Sequence, residues 1–320
     1  MTTKQEILAS LQPLLSRFNH VSINLENINS LIPHLSNINA SNWTSEYVFS
    51  DGTYKSVNYL GLFSPLSFCY WPKPKWHIIY NGEELGGSYS LFYALKRAIE
   101  EGKDITDAMY LKNLSSDEFA YILRGDDGTV IPFLHERYDI AVEVGTVLAD
   151  KFGGKFTNLF EEADYDASSI NRLLVDNFDC FADQHELDGK MLKFFKKSQE
   201  VITLTFEQFN GQGLGAIANI EDLTASSDYK LPQSLNSLGV LVYRAPLMDL
   251  ILTESVLAAD SRECLEIRAA TIYACEKIVE QLSSKGIKMN SSELSNALWT
   301  ISQNTTLPVC PYPRINSIWV

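Results

Sequence analysis

Asp260-Ser261-Arg262-Glu263, running on through Ile267, Ala270, Ala274, Ile278 and Leu282 to Gly286, is the stretch that sets the fold class. Asp260 reads as an N-cap and Glu263, three residues on, as its capping-box partner. The apolar residues that follow recur at helical spacing, and Gly286 ends the run. The same pattern extends outward in both directions. Ser291 to Asn304 reads as a further helix, and the chain closes on an aromatic, proline-rich tail from Cys310 to Val320. Upstream, Lys4 to Phe18 carries Ile7, Leu8, Leu11, Leu14, Leu15 and Phe18 near helical spacing, and Leu25 to Leu35 reads as a second helix ending near His34. Ser88 to Glu101 stops at Gly102, and Ser115-Ser116-Asp117-Glu118 opens a helix to Leu123. Pro132 starts one that runs to Phe152 and ends at Gly153-Gly154. Ser168 to Asn177 and Gly189 to Phe209 continue the series.

Asn42 to Gly87 breaks the pattern, being rich in Ser, Asn, Pro and aromatic residues. Leu66 to Trp71 and Trp76 to Tyr80 read as extended, and Asn81-Gly82 is a hairpin turn signal. The expectation is one mainly α domain over residues 1–320, with a small β or irregular insert before residue 87.

The chain has 320 residues, of which 45% are hydrophobic and 21% charged, enough for a sizeable core. Forty acids against 26 bases give a net charge of −14, which repels polyphosphate and argues against a nucleic-acid polymer as partner. A small phosphorylated ligand needs only two or three aimed cations and stays open. Cys69, Cys180, Cys264, Cys275 and Cys310 are odd in number and contain no Cys-x-x-Cys pair, which points to a reducing compartment. The first residues lack a basic segment followed by an apolar one, and Leu238 to Leu252 is interrupted by Arg244, Pro246 and Asp249. The expectation is a cytoplasmic protein with no membrane partner.

Most motif-like stretches fall short of their chemistry. Gly213-Leu214-Gly215 fits the start of a dinucleotide fingerprint, but no strand feeds the glycine turn directly. His135-Glu136-Arg137-Tyr138-Asp139 puts an aspartate where a zinc helix needs its second histidine, so Glu136 and Arg137 read as ion-pair or capping residues. No metal and no cofactor is expected. His20, His34, His77 and His185 show no ligand spacing and read as surface or satisfied core residues. Lys196-Lys197 reads either as a solvated helix face or as a clamp for a phosphate dianion.

The richest polar stretch is Ser226-Ser227-Asp228-Tyr229-Lys230-Leu231-Pro232-Gln233, which puts a carboxylate, a phenol, an ammonium and an amide within six residues. Asp228 has a plain reading as an N-cap for a helix after Lys230, and a functional one as a site carboxylate.

Several blocks together resemble the queuosine salvage protein family. They include Ser67-Phe68-Cys69-Tyr70-Trp71, Gly87 to Ala98, Ile122-Leu123-Arg124, Glu136-Arg137 and Lys151-Phe152-Gly153-Gly154. Phe195-Lys196-Lys197-Ser198-Gln199, Asp228 to Gln233, Glu266-Ile267-Arg268-Ala269 and Leu298-Trp299 complete the set. The resemblance implies a mainly helical scaffold like that of DNA glycosylases. It also implies hydrolysis of the N-glycosidic bond of queuosine 5'-phosphate, releasing queuine for reuse in tRNA modification. The partner so implied is a small nucleotide or its base.

Carried over by position, the family's base-binding aspartate falls on Asp228 and its N-terminal histidine on His34. Its base-stacking aromatic falls on Ser226. The family's C-terminal block, which ends in Leu-Trp-Asp, falls on Ser295 and Asn296 through Leu298-Trp299-Thr300, so the resemblance implies that two of its aspartates are replaced, by Ser295 and, at the cation-stabilising position, by Thr300. Candidate site residues are thus Asp228 and Thr300 for catalysis, and His34, Ser226, Tyr229, Ser295, Asn296, Lys196, Lys197 and Lys230 for binding. Asp260 and Glu263 stand in reserve as alternative carboxylates. A member that binds a nucleotide or base without hydrolysing it, or acts on another nucleoside, is the alternative reading.

Overall fold

The structure, a computed structural model, describes residues 1–28, 35, 46–303 and 310–320. Its elements begin with α1 (Thr3–Leu15), β1 (Val21–Ile23), α2 (Tyr54–Leu66), β2 (His77–Tyr80) and β3 (Glu83–Gly86). Next come α3 (Gly87–Glu100), α4 (Ala108–Lys112), α5 (Ser116–Ile122), α6 (Leu134–Lys151), α7 (Phe156–Glu162) and α8 (Ala167–Asn177). After them lie β4 (Gln184–Leu187), β5 (Lys190–Lys193), α9 (Lys196–Gln208), α10 (Lys230–Ser237), β6 (Leu241–Tyr243) and α11 (Ala245–Leu252). The last are β7 (Val256–Ala258), α12 (Arg262–Ser284), α13 (Ser291–Gln303) and β8 (Arg314–Asn316). With 13 α-helices against four two-stranded pairings among the described residues, the chain is mainly α. None of the described helices is long and apolar enough to cross a membrane. The helix expected over Leu25 to Leu35 lies mostly outside the described residues.

The elements group into two compact units, residues 42–182 with 200–220, and residues 1–41 with 183–199 and 221–320. In the first, α2 occupies sequence that reads as irregular. Eleven of its 13 residues are buried, so it has no polar face and leaves no stripe of helical period in the sequence. Thr53 caps it through Lys55 N–H. The hairpin β2–β3 forms as expected, with Asn81 and Gly82 at φ 50° and 85°.

Leu66 to Trp71, by contrast, is not a strand. Its carbonyls are met by the buried Arg137 guanidinium, with Nε donating to Leu66 O at 3.1 Å and Nη2 to Phe68 O. Arg137 is thus an anchor for backbone carbonyls, a role that its sequence reading did not include. Helix α6 starts at Leu134, two residues after Pro132, because Phe133 adopts φ 55° as its N-cap. Gly145 lets α6 approach α4 closely; a Cβ there would lie 2.5 Å from Lys112 N.

The second unit is built on α12. Ile267, Ala270, Ala274, Ile278 and Leu282 are all buried, with Ile267, Ile278 and Leu282 each worth about 1.5–3 kcal/mol when fully removed from water. The cap differs from expectation. Ser261, not Asp260, is the N-cap, accepting from Cys264 N–H at 3.2 Å. The buried Glu266 carboxylate takes the N–H groups of Asn19, His20 and Val21 at 2.7–3.3 Å, which fixes the turn into β1. That strand pairs antiparallel with β6, Ser22 opposite Val242.

Two further departures follow from turn chemistry and pairing. Residues 190–193 form β5 and not helix, because Asp188-Gly189 sits at φ 51° and 69° and folds a β4–β5 hairpin. Strand is also not confined to the region before residue 87, since β7 pairs in parallel with β8 from the tail.

Candidate active site

The Ser226–Lys230 loop enters α10, which packs against α13. Asp228 Oδ1 accepts from Lys230 N–H at 2.8 Å and Leu231 N–H at 2.9 Å. That is the capping role open to it from sequence, and it uses one oxygen only. The other, Oδ2, makes no hydrogen bond among the described residues.

Ser226 N–H donates to Ser295 Oγ at 3.0 Å, so two sequence-nominated positions meet directly. Ser295 Oγ in turn donates to Ser291 O at 2.9 Å, and Thr300 Oγ1 to Asn296 O at 2.8 Å. Both hydroxyls are thus tied to backbone carbonyls of α13. Neither carries charge, so neither can stabilise a cationic centre as a carboxylate does.

On the other side of Asp228, Tyr229 meets Tyr312 of the tail with ring centroids 5.1 Å apart. Lys230 Nζ lies 4.7 Å from the Tyr312 ring centroid and donates to Gln233 Oε1 at 3.3 Å. Gln233 Nε2 reaches Cys310 O at 2.8 Å and holds the tail in place. The result is a corner of two phenols, an ammonium and a carboxylate.

Behind the loop lies a buried polar cluster. Asp183 accepts from Arg268 Nη1 at 3.0 Å and Nη2 at 2.5 Å. Burial alone would raise the Asp183 carboxyl, but Arg268 and His185 hold it well below the usual carboxylate range. His185 bridges Asp183 at 3.2 Å and Asp260 at 2.5 Å through its two ring nitrogens, a satisfied core histidine as expected. Burial pushes the Cys264 thiol up to about 12, which rules it out as a nucleophile at neutral pH.

Lys196 and Lys197 are buried, at 6% and 0% exposure, in the first turn of α9. The solvated-face reading is therefore wrong. Lys197 Nζ sits 5.5 Å from the Trp319 ring centroid. Of the reserve carboxylates, Asp260 is committed to His185 and Glu263 pairs with His20 at 3.6 Å. His34 lies outside the described residues. An open groove of about 480 Å³ is lined by Phe18, Ile23, Arg244 and Tyr273 among others, and by none of the nominated residues.

Sequence reasoning did not nominate Asp183, Arg268, Tyr312 or Trp319 as parts of this region. One signal was available. Arg268 falls in the apolar stripe of α12 between Cys264 and Thr271, and a buried guanidinium needs a partner for its N–H donors, a carboxylate or, as at Arg137, backbone carbonyls. Nothing local marks Asp183 as that partner.

Comparison with known proteins covers most of the chain. A family model described as "Queuosine salvage protein" matches residues 47–320. A Sphaerobacter thermophilus protein named queuosine 5'-phosphate N-glycosylase/hydrolase is 35% identical over 277 residues, 87% of this chain and 85% of the relative. Proteins of the same name from Bos taurus and Mus musculus are 32% and 31% identical, covering 78% and 76% of this chain and 76% and 75% of theirs.

Proposed function

The chain belongs to the queuosine salvage protein family, and we propose that it hydrolyses the N-glycosidic bond of queuosine 5'-phosphate, the compound for which its relatives are named. The products are queuine and ribose 5-phosphate. Water supplies hydroxide to the ribosyl anomeric carbon, the C–N electron pair leaves with the base, and the base takes up the second proton. Because a 7-deazapurine has carbon at position 7, protonation there cannot assist departure. The barrier then rests on stabilising the oxocarbenium-like sugar.

The observation that carries this reading is Asp228, fixed by two amides through Oδ1 while Oδ2 makes no hydrogen bond among the described residues. We assign Oδ2 to the sugar cation or the base edge, Tyr229 to the base, and Lys196, Lys197 and Lys230 to the 5'-phosphate. Buried ammonium groups act on a dianion at lower effective dielectric than solvated ones. A free nucleotide, not a nucleic-acid polymer or a membrane, suits the net charge of −14. The proposal includes a cytoplasmic setting.

A second reading has an observation of its own. The neutral, backbone-tied hydroxyls of Ser295 and Thr300 leave α13 without a carboxylate at these positions, which favours a protein that binds the nucleotide or its base without cleaving it. Purified protein incubated with queuosine 5'-phosphate separates the two, with queuine detected by mass spectrometry and binding heat by calorimetry. Release of queuine is the expected result. Heat without release supports the binding reading, and neither signal overturns both.

A further inference from the structure

Three backbone segments converge on one buried ion pair. Asp183 and Arg268 are 0% and 1% exposed and face each other through two hydrogen bonds, at 3.0 and 2.5 Å. Asp183 Oδ2 also accepts Lys196 N–H at 3.3 Å, and its carbonyl takes the N–H groups of Phe194 and Phe195 at 3.0 and 3.2 Å. The turn that begins the lysine-bearing helix is therefore built on Asp183.

Arg268 turns its remaining donors elsewhere. Nε meets Ser227 O at 3.3 Å and Nη2 meets Ser227 Oγ at 3.1 Å. Nη1 lies 3.3 Å from His185 Nε2. Four of the five N–H groups of the guanidinium thus have oxygen acceptors, and the fifth, on Nη1, faces the buried His185 ring. Arg268 is 1% exposed and its donors face protein groups, so it acts through what it holds. What it holds is the residue next to Asp228.

We propose that Asp183 and Arg268 are positioning residues that keep the Asp228 carboxylate and the Lys196–Lys197 turn in one fixed geometry. The inference rests on reading those groups as the substrate site. Each side of the Asp228 loop is then pinned: Ser226 by Ser295, Ser227 by Arg268, and Asp228 by the first amides of α10. Only the fork of an arginine matches Ser227 and Asp183 at once, so a lysine cannot replace it.

Hydrogen exchange tests the positioning without any ligand. In Arg268→Ala, the amides of Ser226, Lys230 and Leu231 should exchange about tenfold faster or more, while those of 270–280 in α12 keep their protection. Ser227→Ala removes only the hydroxyl contact and should shift the same three amides less; it decides the matter if Arg268→Ala does not fold. Exchange that rises uniformly, or does not change at the three amides, would overturn the proposal. Activity gives a second readout. Arg268→Ala and Arg268→Lys should both lose about 100-fold in kcat with little change in KM, and added guanidinium should restore the alanine variant but not the lysine one. If wild-type protein releases no queuine, the proposed activity fails, and the exchange pattern still tests the positioning.

Discussion

Asp228→Asn lowers the rate of queuine release by about 100- to 1,000-fold, the usual cost of losing one preorganised electrostatic contact to a developing charge. Asparagine is the informative choice. It keeps an oxygen at the position of Oδ1, which caps α10 by accepting from Lys230 and Leu231. Alanine would lose that cap as well, at about 0.5–2 kcal/mol, and would mix a folding effect into the kinetics. With asparagine the urea midpoint stays near wild type while kcat falls. A variant with full activity would remove Asp228 from catalysis, and a shifted midpoint with unchanged kcat would leave it only the cap.

Asp183→Asn carries the largest expected loss of stability. It leaves the Arg268 guanidinium buried without its carboxylate, which costs about 3–5 kcal/mol. Charge on Asp183 also gives stability a sign with pH. Its folded carboxyl titrates well below the ordinary range, held there by Arg268 and His185 against the effect of burial. A depressed carboxylate contributes stability that is fully present above its unfolded value, about 3.9, and is lost as pH falls toward the lower folded one. Wild-type stability should therefore decline below about pH 4, and Asp183→Asn should be less stable at neutral pH with a flatter acid limb. Chemical denaturation at a series of pH values reads both. An unchanged acid slope in the variant would mean that other groups govern acid unfolding.

Local chemistry explains which parts of the structure could be read in advance. The long helix α12 and the Asn81-Gly82 hairpin follow from periodicity and turn residues, and both formed. Helix α2 was illegible because burial on all sides removes the polar face on which periodicity depends. The β4–β5 hairpin was masked by a helical continuation, although Asp188-Gly189 carried the turn signal. Asp260 could not be told from Ser261 as the cap, because the outcome depends on His185, which is 75 residues away and takes the Asp260 carboxylate.

The candidate site divides in the same way. Asp228, Tyr229 and Lys230 are neighbours in sequence and stay together in space. Family resemblance nominated Ser226 and Ser295, and they do meet, by a hydrogen bond with no sequence signature. Lys196-Lys197 reads as surface on composition alone, yet the hairpin before it delivers both lysines into the interior. Asp183 and Arg268 lie 85 residues apart, and such a pair can be found only once the chain is folded. Tyr312 and Trp319 belong to a tail whose aromatic character was evident but whose docking partners were not.

On the proposed function, the nucleotide is held at the loop from Ser226 to Lys230. A crystal structure with queuosine 5'-phosphate, or with queuine if turnover is complete, tests it most directly. The expected result is a ligand oxygen, nitrogen or ribosyl carbon within about 2.6–3.2 Å of Asp228 Oδ2, with the base against Tyr229. Ligand seated instead in the groove of Phe18, Arg244 and Tyr273, with nothing beside Asp228, would contradict it.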